Sequence, residues 1–256
     1  MSRPPRFFIA PSQVSGSRIS ISDEDVRHIA AVLRMKIGDA LLLCDGQGAE
    51  YQVTIAEISK TEIKTEIVSQ SSREITAPRI TLGQGLPKSD KMDWIVQKAT
   101  ELGVTNIVPL VTERTIVKIR DEEKRISRWQ KICREAAMQS NRPDIPQVEQ
   151  VRSFRDFILS LDPGPTPLTP GSSAPEFRAL KLIPWEEASA PIKDVLKQHA
   201  GAEHIIVLIG PEGGFSSNEA SMAREKGFHS VSLGPNILRT ETAAIAALSM
   251  VGYEYR

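Results

Sequence analysis

Over the first 72 residues, apolar and polar positions follow one another with the period of a β-strand. Ile63, Thr65 and Ile67 alternate with the charged Lys64 and Glu66, which is typical of a strand with one buried face. A second strand is predicted at Ala40–Cys44, because this apolar run precedes the tight-turn signal Asp45-Gly46. One short helix, at 23–34, interrupts the strands. The pattern therefore predicts a small β-barrel-like domain over residues 1–72.

From residue 79 the pattern changes to short apolar runs that alternate with stretches of helical period. The predicted strands are 80–82, 107–111, 180–183, 204–209 and 230–233. The predicted helices are 90–102, 124–139, 192–198, a segment that begins after Ser216, and 241–251. A loop is predicted at Gly83-Gln84-Gly85. Alternating strands and helices predict an α/β domain over residues 73–256, with a mostly parallel sheet covered by helices on both faces.

Capping residues mark the ends of two of these helices. Ser89 is predicted to cap the first helix and Gly103 to end it. Ser216 and Glu219 have the spacing of a capping box, and Gly227 lies where a glycine commonly ends a helix. The second of these helices therefore begins directly after a glycine-rich loop.

One stretch of the α/β half fits neither element type. Residues 162–175 hold five prolines and two glycines, a composition that excludes a helix or a central strand. We expect a long, flexible surface loop inside the second domain. A proline-rich ligand for a partner domain is the alternative.

Two glycine-containing loops follow predicted strands of the sheet. The first is 210–215, with the sequence GPEGGF, and the second is 234–242, with the sequence GPNILRTET. Ligands of parallel sheets bind at the carboxyl ends of the strands, and glycine lets a ligand approach the backbone closely. Neither loop has the pattern GxxxxGK[ST] or GxGxxG, which disfavours a nucleoside triphosphate or a dinucleotide. The residues alone predict a small ligand bound by backbone loops, with ordinary strand-to-helix turns as the alternative.

Charge is balanced over the whole chain but not along it. The 256 residues include 32 basic and 32 acidic side chains, so the formal net charge is zero. The net charge is −1 over residues 1–72, +4 over 73–161 and −3 over 162–256. This distribution excludes a uniformly basic nucleic-acid-binding protein, but it is compatible with a local surface that binds polyanions.

Cysteine and histidine usage narrows the class of protein further. Cys44 and Cys133 form no Cys-x-x-Cys pair, and the four histidines show no HExxH spacing. A disulfide scaffold, a zinc ribbon or another metal site is therefore not expected. The apolar run at 7–10 is too short for a signal peptide, and 205–209 is too short for a membrane span. We expect a soluble cytoplasmic protein.

Several segments together resemble a known family. The run 209–216 is IGPEGGFS, and 233–243 contains LGP followed, after Asn236, by ILRTETA. Upstream segments also fit: 6–8, 32–34, 97–103 and 135–140. These segments resemble the signatures of the SPOUT methyltransferases, and specifically of the bacterial ribosomal RNA small subunit methyltransferase E family. The resemblance covers nearly the whole chain, and the proline-rich stretch 162–175 is the departure from it.

The resemblance implies a fold and an activity that the residue patterns do not reach. It implies an N-terminal PUA-like, RNA-binding domain and a C-terminal SPOUT domain whose last segment forms a trefoil knot. It also implies a homodimer that uses S-adenosylmethionine to methylate N3 of one uridine in the decoding region of 16S rRNA. Because chain connections rarely thread through one another, the pattern alone predicts an ordinary open sheet without a knot.

Site residues follow from the same resemblance. Arg239 is expected to orient the uridine or stabilise its charge, and Glu241 to support Arg239 or relay the proton. A helix-dipole role is the alternative for Glu241, and a loop-fixing role is the alternative for Glu212. The expected cofactor-binding residues are Leu208, Gly210, Pro211, Glu212, Gly213, Leu233, Gly234, Ile237, Leu238 and Thr242.

Basic residues are the predicted contacts to RNA phosphates. They are Arg3, Arg6, Arg18, Arg34 and Arg114. Solvated surface charge is the alternative explanation for such clusters. Two other functions stay open at this point: a non-catalytic RNA-binding factor on the same fold, and a nucleotide-dependent oxidoreductase on a similar α/β sheet.

Overall fold

A computed structural model describes residues 4–22, 24–72, 78–117, 120–161 and 179–255, without the side chain of Glu24. The chain divides into two compact units, Met1–Thr76 with Ala137–Ile145, and Ala77–Ala136 with Pro146–Arg256. The predicted proline-rich loop at 162–175 and the predicted RNA contact Arg3 lie outside the described residues. The exact domain boundary at 72/73 stays a prediction, because residues 73–77 also lie outside them.

In the N-terminal unit, the described strands form a six-stranded sheet in the order β1-β4-β5-β6-β3-β2. The strands are β1 (Arg6–Phe8), β2 (Val14–Ser15), β3 (Arg18–Ser22), β4 (Ala40–Cys44), β5 (Ala49–Ile58) and β6 (Glu62–Ser72). Strand β1 pairs parallel with β4, whereas the other pairs are antiparallel. The inward positions of the alternating strands, such as Ile19, Leu43 and Ile63, form one apolar core. The period-two pattern therefore predicted this core correctly.

The helix predicted at 23–34 is shorter and partly of another type. Helix α1 covers Glu24–Arg27, and a wider π-type turn follows at His28–Val32. Leu33 closes this turn by donating its backbone N–H to the carbonyl of His28, at 2.9 Å. The positive φ of Arg34, 55°, then ends the helical geometry.

In the C-terminal unit, the described strands form a seven-stranded parallel sheet in the order β10-β8-β7-β12-β11-β13, with β9 also paired to β8. Its strands are β7 (Arg79–Gly85), β8 (Asn106–Val111), β9 (Gln147–Val148), β10 (Arg152–Ser153), β11 (Ala179–Pro184), β12 (His204–Ile209) and β13 (His229–Val231). Its helices are α2 (Lys91–Glu101), α3 (Glu122–Gln139), α4 (Phe154–Ser160), α5 (Ile192–Gln198), α6 (Ser217–Glu225) and α7 (Thr240–Tyr255). The last residues of α3, from Ala137, are counted with the N-terminal unit. The predicted parallel α/β sheet is confirmed.

Three elements of this unit escaped the sequence pattern. Strands β9 and β10 have two residues each, and α4 has seven, so none is long enough to display a period. Helix α4 begins where the hydroxyl of Ser153 accepts a hydrogen bond from the backbone N–H of Asp156, at 3.0 Å. It buries Phe154 and Phe157 in the apolar core of the sheet.

The loop predicted at Gly83-Gln84-Gly85 is wrong, because these residues continue β7. A Cβ atom at Gly83 would lie 2.6 Å from the side chain of Leu208, and one at Gly85 would lie 2.6 Å from the ring of Pro211. Glycine is needed here because the segments that carry Leu208 and Pro211 approach β7 closely. Glycine occurs inside a strand where another part of the backbone comes this near.

The capping predictions have mixed outcomes. Ser216 and Glu219 do form a capping box, and Gly103 and Gly227 adopt positive φ where their helices end. The predicted cap Ser89 is wrong: the residue before α2 is Asp90, which makes no side-chain capping bond. Ser89 instead has a positive φ of 58°, a conformation that the N-cap position does not have. The C-terminal knot stays a prediction.

No helix within the described residues is both long and apolar enough to cross a membrane.

Candidate active site

The carboxyl edge of the parallel sheet carries a cleft of about 450 Å³. Three chain segments line it, each at the end of a strand: 184–186 at the end of β11, 209–215 at the end of β12, and 232–240 after β13. Lys91, at the start of α2, and Ala243, in α7, complete the lining. We call 210–215 the first loop and 232–239 the second loop. Both predicted glycine loops therefore border one cleft, as expected for ligand sites of parallel sheets.

The first loop is tightly folded on itself. Gly214 donates its backbone N–H to the carbonyl of Pro211 at 2.9 Å and has a φ of 67°. A Cβ atom at Gly210 would lie 2.9 Å from backbone atoms of Gly214, so only glycine fits there. Phe215 closes the loop by inserting its ring into the core, against Phe154.

Side chains from outside also fix the first loop. The carboxylate of Glu219, 3 % exposed, accepts hydrogen bonds from the backbone N–H groups of Ser216 and Glu113, each at 2.9 Å. Arg114 donates to the carbonyl of Gly213 at 2.6 Å. These contacts join the loop to the chain that follows β8.

Glu212 connects the same loop to the start of α2. Its carboxylate accepts hydrogen bonds from the backbone N–H of Lys88 and from the ammonium of Lys91, both at 3.0 Å. Partial burial opposes ionisation, but the hydrogen bonds from Lys91 and the backbone outweigh it and lower the pKa of Glu212. The hydrogen bond with Glu212 in turn raises the pKa of Lys91. The pair is therefore charged at neutral pH.

The second loop is more open. Gly234 has a φ of 132°, which a side chain rarely adopts, although a Cβ atom there would meet nothing within 4 Å. Ile237 is 86 % exposed, and Arg239 is also exposed. The guanidinium of Arg239 makes no hydrogen bond or ion pair with a described residue. This loop therefore presents an unengaged cation at the cleft.

A buried hydrogen-bond chain links the two loops from inside the unit. The hydroxyl of Thr240 donates to the carbonyl of Gly210 at 2.6 Å and accepts from the side-chain amide of Gln84 at 3.0 Å. Gln84 is fully buried at the end of β7. Because Thr240 begins α7, this chain fixes the end of the second loop against the start of the first.

Glu241 lies beside the cleft rather than in its lining. Its Oε2 is 3.5 Å from the ammonium of Lys91. That oxygen is closed to solvent and makes no hydrogen bond to a described group. Lys91 therefore pairs with carboxylates of two different elements, the first loop and α7.

The structure brings together most of the residues predicted to hold the cofactor. Gly210, Pro211, Glu212, Gly213, Leu233, Gly234, Ile237 and Leu238 line the cleft, and so does Arg239. Leu208 does not, because its side chain is buried in the core beneath the sheet edge. Thr242 is exposed on α7 outside the lining.

Residues that the sequence prediction missed include Lys91, Trp185 and Glu186. Trp185 and Glu186 directly follow β11, and Lys91 follows the end of β7 by six residues. A signal was available, since the rule that ligands bind at strand ends applies to these two strands as well.

The predicted RNA contacts occupy different environments. Arg18 and Arg34 are exposed on the N-terminal unit, and Arg114 is exposed beside the first loop. Arg6 is only 7 % exposed, and its guanidinium pairs with Glu50 at 2.8 Å. Arg6 also donates to the carbonyl of Arg142 at 3.1 Å, so its charge is engaged inside that unit.

Cys44 lies against Arg6 and is buried. Burial raises the pKa of the Cys44 thiol to about 11, although the nearby Arg6 charge acts in the opposite direction. Within the described residues, no group of three or more His, Cys, Asp or Glu side chains could hold a metal ion.

Each of the two units is matched by a known family. The family described as RNA methyltransferase domain matches residues 74–252, and the family described as RNA methyltransferase PUA domain matches 21–68. The chain is 33 % identical over 243 residues to ribosomal RNA small subunit methyltransferase E of Bacillus subtilis, covering 92 % of this chain and 90 % of the relative.

Solved structures agree with these matches. A ribosomal RNA small subunit methyltransferase E from Neisseria gonorrhoeae, bound to S-adenosyl methionine, is 32 % identical and superposes with a TM-score of 0.83, covering 96 % of both chains. A putative methyltransferase from Legionella pneumophila, in complex with the same cofactor, is also 32 % identical, with a TM-score of 0.83 and 98 % coverage of both chains.

Proposed function

Because the chain belongs to the ribosomal RNA small subunit methyltransferase E family, we propose that it transfers a methyl group from S-adenosylmethionine to N3 of a uridine in the decoding region of 16S rRNA. The observation that carries this proposal is the cleft at the carboxyl edge of the sheet. Its two loops contain most residues of both signature segments, and the exposed residue Arg239 is in its lining. The methylated atom, N3, and the target nucleotide are our proposals.

The cleft suits S-adenosylmethionine in size and in lining. Its volume of about 450 Å³ lies within the usual range for small-molecule sites, about 300–1,000 Å³. Ile209, Leu233 and Leu238 offer apolar contacts, while the glycines of both loops leave backbone groups accessible. We assign cofactor binding to these residues. The bound cofactor supplies a methyl group on a positively charged sulfur, which is open to displacement.

The chain itself must align the uridine and make its N3 a nucleophile. At neutral pH this nitrogen carries a proton, so attack requires loss of that proton and stabilisation of the negative charge that remains. Arg239 meets the second need, because its guanidinium is exposed at the cleft. A cation placed where charge develops is a strong contribution to rate. We therefore assign charge stabilisation and orientation of the base to Arg239.

Glu241 begins the helix that follows Arg239, and its carboxylate is not in the cleft lining. The position of Glu241 favours a role in supporting the loop that carries Arg239. Relay of the uridine proton is the alternative role. Thr240, its neighbour, already joins both loops through hydrogen bonds, so the start of α7 is a fixed support.

We propose that RNA phosphates contact the exposed cations Arg18, Arg34 and Arg114. Arg6 is left out of this set because its side chain is nearly buried and its guanidinium pairs with Glu50. Membership of the N-terminal unit in the PUA family supports an RNA-binding role for Arg18 and Arg34. Replacing all three cations with alanine is expected to weaken RNA binding and to flatten its salt dependence.

We also propose that the protein is a homodimer that acts in the cytoplasm. Helices α2 and α7 pack together, and they expose Trp94 and Tyr253, the latter at 87 %. Large exposed aromatic side chains are typical of protein interfaces. Light scattering coupled to size-exclusion chromatography gives the mass of the particle and tests this assignment.

The central experiment is methyl transfer from labelled S-adenosylmethionine to small ribosomal subunits that lack the modification, followed by nucleoside analysis. We expect labelled N3-methyluridine at one position. Transfer to another atom would overturn the assignment of N3, and absence of transfer with intact cofactor binding would favour a non-catalytic RNA-binding factor. Stabilisation by NAD but not by S-adenosylmethionine in thermal unfolding would favour an oxidoreductase.

A further inference from the structure

Lys91 occupies a position between the two loops that neither the family signatures nor the charge clusters singled out. It is the first residue of α2, and its side chain lines the cleft. Its ammonium lies 3.0 Å from Glu212 Oε1 and 3.5 Å from Glu241 Oε2. One cation therefore contacts a carboxylate of the first loop and a carboxylate of α7.

The two carboxylates belong to different elements, and Glu212 lines the cleft whereas Glu241 lies beside it. Glu212 is in the first loop and is also held by the backbone N–H of Lys88. Glu241 is in the first turn of α7, directly after the second loop, and its Oε2 is buried without a hydrogen bond to a described group. Because both oxygens lie within 3.5 Å of one ammonium, they would repel each other if that cation were removed.

This contact complements the link made by Thr240. The hydroxyl of Thr240 joins α7 to Gly210 at 2.6 Å, beneath the loops. Lys91 is about one third exposed, so it makes its link where the cleft opens to solvent. The loops would thus be held at two places, one buried and one accessible.

We propose that Lys91 is a positioning residue for methyl transfer, which holds the first loop against the start of α7, directly after the second loop, by pairing with Glu212 and Glu241, and so keeps the two loops at the spacing that the cofactor requires. This role rests on the proposed function, because it concerns the same cleft. Lys91 acts through the two carboxylates, and its contribution is to reduce loop motion before the cofactor binds. Preorganisation of this kind lowers the entropy lost on binding.

The test compares Lys91→Ala with Lys98→Ala in the full-length protein. Lys98 is a matched control, because it lies on the same helix, has the same exposure and pairs with Glu101 at 2.8 Å. Without cofactor, hydrogen exchange should become faster at the amides of both loops in Lys91→Ala and stay unchanged in Lys98→Ala. Calorimetry should give a Kd for S-adenosylmethionine raised about three- to tenfold by Lys91→Ala only.

Two further variants distinguish a pairing role from general damage. Lys91→Arg should recover most of the affinity, because it retains a cation at the same place. In a double-mutant cycle, Lys91→Ala combined with Glu212→Gln should cost less than the sum of the two single changes. Steady-state assays of Lys91→Ala should show a higher KM for the cofactor and a smaller change in kcat.

Specific results would overturn the proposal. Loop exchange and Kd in Lys91→Ala that match those of Lys98→Ala would show that the pairing does not hold the loops. A loss in Lys91→Arg equal to that in Lys91→Ala would show that a cation is not what the position needs. Cofactor binding by the wild type without methylation of ribosomal subunits would overturn the proposed function instead. In that case the comparisons of hydrogen exchange and of Kd would still test the role of Lys91.

Discussion

The two loops that form the cleft follow β12 and β13, two strands of one sheet that are separated by β11, yet they are held very differently. The first loop has its backbone packed against itself at Gly210 and is fixed by Glu219, Arg114 and the pair of Glu212 with Lys91. In the second loop, the described contacts gather at its two ends, near Ser232 and at Thr240. Between these ends, residues 234–237 and Arg239 are exposed, whereas Leu233 and Leu238 are partly buried.

This difference indicates that the two loops have different roles in the cleft. A loop whose backbone is already fixed loses little entropy when a ligand binds, which suits a site for the cofactor. A loop that presents unengaged side chains can respond to a second ligand, which suits contact with the RNA base. The exposed positions Ile237 and Arg239 both lie in the second loop. Changes in the first loop should therefore affect folding and cofactor affinity, whereas changes at the exposed positions of the second loop should affect the reaction.

The largest effect is expected for Arg239→Ala. Because Arg239 supplies charge stabilisation without holding the fold, kcat should fall about 100- to 1,000-fold, as for loss of a donor that stabilises transition-state charge. The Kd for S-adenosylmethionine and the free energy of unfolding should stay close to those of the wild type. Single-turnover methylation of ribosomal subunits, beside calorimetry, measures both. Equal losses in kcat and in cofactor affinity would remove the distinction between the loops.

The next effect contrasts two glycines, one in each loop. In Gly210→Ala the new methyl group meets backbone atoms of Gly214 at 2.9 Å, so the first loop must deform at a cost of about 2 kcal/mol. In Gly234→Ala the methyl group meets nothing within 4 Å, and only the φ of 132° is strained, which costs about 1 kcal/mol. Urea unfolding compares the two variants. A larger loss for Gly234→Ala would show that the second loop is the more constrained.

A smaller effect is expected for Glu219→Gln, in the capping box behind the first loop. Glutamine has one acceptor oxygen, so it cannot serve both Ser216 and Glu113, which donate to different carboxylate oxygens. One buried N–H then lacks its partner, which costs about 1–2 kcal/mol. Glu225→Gln, at an exposed position of the same helix, is the control and should change the free energy of unfolding little. Equal stability of the two variants would contradict the role given to Glu219.

Local signals in the sequence predicted much of this arrangement. Short apolar runs marked the main strands, and the spacing of Ser216 and Glu219 marked the start of α6. The rule that loops at strand ends form ligand sites then brought the two glycine loops to one edge. Each of these signals is contained within a few neighbouring residues.

The sequence did not predict features that depend on distant parts of the chain. Gly83 and Gly85 indicated a loop, because nothing nearby in sequence reveals that Leu208 and Pro211 pack against them. Arg6 was expected to contact RNA, but its partners Glu50 and Arg142 lie far along the chain. Lys91 lies close to the end of β7, so the strand-end rule could have found it, but its pairing with Glu212 and Glu241 has no signal nearby in sequence. Contacts between residues that are distant in sequence follow from the folded sheet and have no local pattern.

The smallest effect concerns pH and the pairing of Glu212 with Lys91. The pKa of Glu212 is lowered, so its stabilising effect is present above the pKa of an unfolded glutamate, about 4.3, and is lost as the pH falls through the lower folded value. The pKa of Lys91 is raised, so its effect is complete below about 10.4 and is lost at still higher pH.

The difference in stability between the wild type and Glu212→Gln should therefore be constant from about pH 5 to pH 10 and shrink below that window. Urea unfolding at a series of pH values measures it, and Kd for S-adenosylmethionine should follow the same course because Glu212 is in the first loop. A difference that changes steeply near pH 7 would mean that a group titrating in that range, and not this ion pair, controls the loop. The second loop offers a contrast, since Ile237→Ser removes an exposed side chain that carries no charge, and its effect on stability should be small at every pH.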